Sequence, residues 1–418
     1  MTPRALALAI LQKVLRKGRP LDEERERWLI GLDPRDRAFV HNLVATSLRK
    51  LGGIETILKE CLDRPLKGES LTAQDILILG TAQILFTRVA VHAAVNETVD
   101  LAPKPFKGLV NAVLRKIIRE QERFLTIAND PKFAFPSWLW QNWKEIYGEE
   151  TARLMVDASL KEAPLDITVK NNPEEWAEKL NAIILPSGSL RINQPEGAIE
   201  NLPGYTEGQW WIQDASGALA VGLLGDIKDK KALDMCAAPG GKTAQLLANG
   251  AIVTAIDRAE NRIRRFNSNM ERLSYQPETI ICDAEEFTSA EKFNIILLDA
   301  PCSSTGTIRR HPDIIWHKNA NDVSKLVNLQ KNLLNKAISL LNPGGILLYC
   351  VCSLQKEEGE EQIRQFLTAN SQIERIAIGS SEIFCPQAIN AEGDLRILPH
   401  YIENGWDGFF MARLRKKA

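Results

Sequence analysis

From about residue 206 onward, short apolar runs alternate with helical segments, and each run ends on a polar or reactive residue. The runs are ALDMC ending at Cys236, AIVTAID at Asp257, TIICD at Asp283, NIILLD at Asp299 and GILLYCVC at Cys352. Between them lie GKTAQLLAN, AENRIRRFNSNMERL and DVSKLVNLQKNLLNKAISLL, with apolar residues at helical spacing. Continuous apolar strands separated by helices bury both faces, which predicts a parallel sheet covered on each side. In such sheets ligands bind beyond the carboxyl ends of the strands. All five terminal residues fall at that edge.

The chain has 418 residues, too many for one ordinary core, so more than one domain is expected. Residues 1–128 read as all-helical: RALALAILQKVL, DRAFVHNLVATSLRKL, AQDILILGTAQILF and FKGLVNAVLRKIIRE each repeat apolar residues every three or four positions. Asp33 before Pro34 is an N-cap followed by proline at the first helical position. The stretch NDPKFAFPSW, residues 129–138, reads as a linker, with Ser137 capping the helix that follows. Residues 129–205 then form a linker and small mixed subdomain with short strands such as LDITV and SLRI, and 206–418 the α/β domain. No apolar run reaches the ~18 residues of a membrane helix. The cysteine number is odd, at seven, and no spacing matches a zinc site, so reduced thiols, a cytoplasmic location and no metal are expected. Residues 1–130 hold 21 Lys+Arg against 16 Asp+Glu, an excess of +5 inside a chain of net charge -1. That permits contact with nucleic acid without demanding it.

LDMCAAPGGKT follows the first strand and opens a helix, so its glycine turn and helix N-terminus suit an anion. The dinucleotide pattern G-x-G-x-x-G is absent, and a phosphate loop would need glycine where Cys236 stands. S-adenosylmethionine remains: its carboxylate needs a turn and no phosphate cradle. The candidate cofactor set is Cys236, Ala237, Ala238, Pro239, Gly240, Gly241 and Lys242, with three strand-end carboxylates. Asp257, about twenty residues on, is placed for the ribose hydroxyls, Asp283 for the adenine amino group, and Asp299 ends the next strand.

Among the cysteines, Cys61, Cys282 and Cys385 carry no motif, and Cys350 lies inside a strand as packing. Cys302 and Cys352 each follow an apolar strand and precede a serine, which puts two thiols at the binding edge of neighbouring strands. Beside a methyl donor, a thiolate can activate a pyrimidine by adding at C6 and making C5 nucleophilic.

Together, LDMCAAPGGKT, LLDAPCSSTGTIRRHPDI, YCVCS with its acidic sequel, and the closing DGFFMARLRK resemble the RNA cytosine-5 methyltransferases of the Sun/Fmu (RsmB-like) family. RDRAFVHNLVATSLR, VHAAVNETVDLA and KGLVNAVLR resemble its NusB-like domain. The resemblance implies a multidomain protein: an all-α NusB-like domain plus a Rossmann-like class I methyltransferase domain, acting as a monomer on small-subunit (16S) ribosomal RNA. It implies Cys352 as nucleophile and Cys302 as the residue that helps release product. It implies that Asp299 contacts the cytosine edge, and that IRRHPDI is a substrate-side loop with Arg309, Arg310 and His311 near RNA. Two positions depart from the family. Val351 stands where threonine is usual, and LDIT (165–168) lacks the arginine of the family's LRxN strand, with SLRIN downstream as an apparent substitute.

Overall fold

Local signals start the chain as helix. Thr2 accepts from the Ala5 amide at 3.3 Å, Pro3 takes the first helical position, and Gly18 ends the helix at φ 62°. This α1 (Pro3–Lys17) leads to α2 (Leu21–Trp28) and α3 (Pro34–Arg49), where Asp33 accepts from the Arg35 amide at 2.9 Å, the cap its sequence predicts. The helices continue as α4 (Leu51–Cys61), α5 (Leu71–Phe86), α6 (Val91–Asp100), α7 (Lys107–Arg119) and α8 (Gln121–Ala128). Apolar around its circumference, α5 is buried almost throughout, as such a helix must be. Its one buried carboxylate, Asp75, accepts from Arg16 Nε of α1 at 3.1 Å. A Cβ on Gly80 of α5 would lie 2.8 Å from Leu114 and 3.0 Å from Thr98, so glycine permits the close approach of α6 and α7.

The computed structural model describes residues 1–193, 195 and 197–418. By contacts the chain forms two units: residues 1–161 with 308–319, and residues 162–307 with 320–418. The expected linker at 129–138 is helical instead. Asp130 caps α9 (Pro131–Ala134), and α10 (Ser137–Tyr147) and α11 (Glu149–Ser159) follow within the first unit. Ser137 is the first residue of α10, after Pro136, and makes no side-chain cap. The breakers end one helix and start the next, while Phe135, Trp140 and Trp143 are buried and anchor the segment. The segment 308–319 belongs to the first unit through its own bonds. Leu21 N donates to Asp313 Oδ2 at 3.0 Å, Trp316 Nε1 to the Leu48 carbonyl at 2.9 Å, and Arg49 Nη2 to the Arg309 carbonyl at 3.2 Å.

The second unit begins with β1 (Leu165–Val169), α12 (Pro173–Lys179), β2 (Ile183–Ile184), β3 (Leu190–Ile192) and β4 (Trp210–Ile212). These strands form an antiparallel sheet in the order β2-β3-β1-β4. The chain then runs through α13 (Ala215–Gly222), β5 (Lys231–Met235), α14 (Gly241–Ala248), β6 (Ile252–Asp257), α15 (Glu260–Arg272), β7 (Glu278–Ile281) and β8 (Phe293–Asp299). It ends with α16 (Ala320–Leu340), β9 (Leu341–Val351), α17 (Glu360–Ala369), β10 (Ile373–Arg375), β11 (Leu395–Ile397) and β12 (Phe409–Lys416). The larger sheet is ordered β10-β12-β9-β8-β5-β6-β7, with β11 also on β12. Its five strands from β5 to β9 are parallel, as their apolar runs predict, and β12 closes the sheet antiparallel to β9.

Arg191, the arginine of SLRIN, is not an RNA contact in this fold. It is 2% exposed and grips Asp166 of LDIT with two hydrogen bonds of 2.7 Å, and Asp166 also accepts from the Ala215 amide at 3.2 Å. The departure in LDIT and the arginine of SLRIN therefore complete each other as a buried ion pair across β1 and β3. Removing one partner of such a pair leaves a buried charge and costs about 3–5 kcal/mol. Arg191→Ala is expected to lower unfolding stability by about 3 kcal/mol, read as a shift of the denaturant midpoint.

Candidate active site

After β5 the chain builds β6 and β7 on one side, then crosses to build β8 and β9 on the other. The direction of winding reverses between β5 and β8, and a crevice opens at their carboxyl ends. The turn after β5 lies there. Cys236 sits at φ 64° and Gly240 at φ 106°. A Cβ on Gly240 would meet Met270 at 2.8 Å and Phe266 at 3.0 Å, so the turn packs directly on α15. The turn closes through Gly240 N to the Ala237 carbonyl at 2.9 Å, and α14 starts at Gly241, its first-turn amides having no intrahelical acceptor.

Strand-end carboxylates hold this turn from below and beside. Asp257 is buried and accepts from Ala238 N at 3.2 Å and Ala259 N at 3.0 Å, with Arg262 at 3.3 Å. Arg262 also donates to the Ala238 carbonyl. Asp234 inside β5 is fully buried and accepts from Thr243 Oγ1 at 2.6 Å, while its Oδ1 has no partner; burial pushes its carboxyl up to about 7. Asp283 stands one strand further out, where it accepts from the Glu285 amide at 2.9 Å. Burial pushes the Cys236 thiol up to about 12, so it stays neutral. Lys242 reaches over the crevice to Asp299 at 2.7 Å. Burial opposes its charge, but the Asp299 carboxylate outweighs it and holds the lysine above its ordinary value.

These residues fit S-adenosylmethionine better than a nucleoside triphosphate. Its carboxylate would meet the turn and the first-turn amides of α14. Asp257 and Asp283 keep acceptor capacity toward a nucleoside, since a carboxylate has about four lone-pair sites. A triphosphate would need a free lysine, and Lys242 is committed to Asp299.

The two thiols meet. Cys302 Sγ and Cys352 Sγ are 3.5 Å apart, and Ser304 Oγ lies 3.6 Å from Cys352 and 3.8 Å from Cys302. Adjacent strands explain it: β8 and β9 pair in parallel with Asp299 opposite Cys350, and each strand ends within a few residues of its cysteine. Ser304 was not singled out in the sequence. It adopts φ 57°, rare for a residue with a side chain, and this turns its hydroxyl toward both sulfurs. The hydrogen bond from Cys302 lowers the Cys352 thiol below the usual cysteine range against the opposing effects of burial and Asp299, and Lys242 helps. Cys302 moves well upward, because its proton is held by Cys352 and by burial. The two shifts run in opposite directions, so Cys352 is the more acidic thiol of the pair.

Along β9 the side chains alternate. Tyr349 and Val351 point into one apolar cluster, Cys350 and Cys352 toward the other. Val351 is fully buried against residues such as Leu298 and Phe410, so the departure from threonine falls on a packing position. Burial pushes the Cys350 thiol up, in keeping with a packing role. The expected substrate-side loop is different in character. Arg309 is 1% exposed within the helical unit, and His311 Nδ1 lies 3.2 Å from Asp22 Oδ2, while Arg310 is exposed. Ile308 at its start and Ile315 just beyond its end are buried, which draws the segment onto the helices. Among the described residues no group of His, Cys, Asp or Glu is arranged to hold a metal, and no helix is long and apolar enough to cross a membrane.

The second unit is thus a doubly wound sheet with a glycine turn at its switch point, and the first unit is helical. Residues 222–415 match the family described as 16S rRNA methyltransferase RsmB/F, and residues 1–119 match the NusB family. Ribosomal RNA small subunit methyltransferase B of Pasteurella multocida is 36% identical over 443 residues, covering 100% of this chain and 96% of the relative. Its counterpart in Klebsiella pneumoniae subsp. pneumoniae is 34% identical, covering 99% and 98%. The chain belongs to this RsmB family. Among solved structures, PH0851 shares the fold at a TM-score of 0.77, with 23% identity over 100% of this chain and 99% of that one. A methyltransferase homolog protein from Pyrococcus horikoshii covers 72% of this chain and 98% of its own, at a TM-score of 0.53 and 27% identity.

The thiol electrostatics are measurable without substrate. Iodoacetamide is expected to alkylate Cys352 with a pH midpoint below that of an ordinary cysteine, followed by mass spectrometry of the peptide. Cys302→Ala removes the hydrogen bond that holds the thiolate and is expected to raise that midpoint.

Proposed function

We propose that this enzyme transfers a methyl group from S-adenosylmethionine to C5 of a cytosine in small-subunit (16S) ribosomal RNA, through a covalent bond between Cys352 and C6. The observation that carries the reading is the 3.5 Å pair of thiols beside a glycine turn suited to the cofactor. Curated relatives named as ribosomal RNA small subunit methyltransferase B support the substrate class.

S-adenosylmethionine, when bound, supplies an electrophilic methyl. The turn Cys236–Lys242 with Asp257, Asp283 and Asp299 would hold it, the amides meeting its carboxylate and the strand-end aspartates its nucleoside. The target base leaves its stack to enter the crevice. Asp299 meets the cytosine edge and favours protonation at N3. The Cys352 thiolate attacks C6, a C–S bond forms, and the ring electrons move to C5, which takes the methyl as the methyl–sulfonium bond breaks and the thioether leaves. The C5 proton then leaves to a base, the C6–S bond breaks to return the thiolate, N3 gives back its proton, and the pyrimidine double bond returns. Cys302 assists this last step, because its S–H stabilises the departing Cys352 thiolate. The NusB domain adds affinity for RNA. The enzyme acts in the cytoplasm as a monomer and uses no metal.

Purified protein is expected to transfer labelled methyl to deproteinised ribosomal RNA, and bisulfite mapping of a deletion strain to lose one protected cytosine of the small-subunit RNA. No transfer to any RNA or subunit intermediate would leave a binding protein instead. Cys352→Ala is expected to abolish both methylation and the covalent adduct. Cys302→Ala is expected to accumulate a trapped RNA–protein adduct on denaturing gels; the reverse pattern would exchange the two roles.

A further inference from the structure

Glu358 lies six residues beyond Cys352, in the acidic sequel of YCVCS, and it is fully buried. Its Oε1 accepts from the Ser303 amide at 2.9 Å and from Gln330 Nε2 at 3.0 Å. Its Oε2 accepts from the hydroxyls of Ser303 and Ser353, and its carbonyl accepts from Tyr349 Oη at 2.8 Å. Ser303 follows Cys302 directly and Ser353 follows Cys352 directly. One carboxylate therefore holds the residue after each thiol. The same two loops are joined again by Gly306 N to the Cys352 carbonyl at 3.0 Å and by Leu354 N to Thr305 Oγ1 at 3.0 Å. Gln330 also donates to the Pro301 carbonyl at 2.9 Å, fixing the approach to Cys302.

A buried carboxylate is costly unless its lone pairs are filled, and here four donors fill them. Hydrogen bonds to a charge are short and strong, so they set distance more tightly than apolar packing does. Their convergence on positions 303 and 353 transmits that stiffness to positions 302 and 352. We propose that Glu358 is the positioning residue that sets the separation of the Cys302 and Cys352 sulfurs, clamping their two loops together from behind. The proposal rests on the reading of these thiols as the reacting pair. Glu358 itself does not touch the base. Its effect passes through the thiol contact: with the loops released, Cys302 loses its reach to Cys352, and the nucleophile is formed less readily.

The test uses the full-length protein carrying Glu358→Gln, Glu358→Ala or Ser353→Ala. Glutamine keeps one acceptor for the Ser303 amide and Gln330 but must turn both serine hydroxyls from donors into acceptors. Serine-to-alanine removes one strand of the clamp alone. Three quantities are read: the pH midpoint of Cys352 alkylation without RNA, S-adenosylmethionine affinity by calorimetry, and single-turnover methylation of ribosomal RNA. Folded Glu358→Gln is expected to raise the alkylation midpoint and to slow methylation by roughly 100-fold, the scale of a 1 Å misplacement, with cofactor affinity and KM for RNA little changed. Ser353→Ala is expected to shift the midpoint in the same direction by less, and it decides the matter if both Glu358 variants fail to fold. A midpoint unchanged from the parent protein in a folded Glu358→Gln, or in Ser353→Ala where neither Glu358 variant folds, overturns the proposal, whatever happens to the rate. Failure of the parent protein to methylate any RNA would remove the proposed function, while the alkylation midpoints would still decide the clamp.

Discussion

The parallel pairing of β5 with β8 is the constraint from which the site follows. Met235 stands opposite Leu298 in that pairing, so the residues that follow, Cys236 on one strand and Asp299 on the other, emerge side by side. Because the chain winds away from this seam in both directions, no crossover helix covers it. The crevice is spanned by an ion pair, Lys242 with Asp299, in a half-buried position where charges are poorly screened. That pair also sets the local field. Asp299 opposes a thiolate at Cys352 and Lys242 favours it, so the balance rests on the neighbouring sulfur.

The second thiol comes from a different strand, and several devices bring it close. The close of the chain is one. Gly306 in the loop after Cys302 lies against Gly408, where an added Cβ would approach the Gly408 carbonyl oxygen to 2.0 Å. Gly408 N donates to the Gly306 carbonyl at 2.8 Å. This gives DGFFMARLRK a structural part beside the cysteine loop. Its strand β12 seals β9, and its glycine admits the cysteine loop. Arg396 of β11 acts from the same side, donating to the Ser353 carbonyl while it grips Glu360 through Nε at 3.0 Å and Nη2 at 2.6 Å.

Strand ends, caps and the glycine turn were legible in the sequence because each rests on local physics. Apolar runs of strand length between helical repeats have few other solutions, and Asp33 before Pro34 forms the cap that its neighbours favour. The linker reading failed where local breakers misled: Pro131 opens one helix and Pro136 sits at the N-cap of the next, and buried aromatic side chains hold those helices. Arg191 and Asp166 illustrate a harder limit. They are 25 residues apart, and nothing local says that one neutralises the other. The resemblance implied that Arg309 lies near RNA, but the apolar residues around it carry the segment into the helical unit, where Arg309 is buried.

By itself the sequence determined the class of fold, the set of groups at the sheet edge, and the presence of two thiols there, since periodicity and motif spacing need no partner from elsewhere in the chain. It did not determine the sulfur separation, the left-handed Ser304 between the sulfurs, or which of many acidic residues is buried behind them. Those depend on hydrogen bonds between segments about fifty residues apart, such as Ser303 with Glu358. Only the tertiary structure decided them, because a buried carboxylate and a solvated one are written with the same letter, and burial is a property of the packed whole.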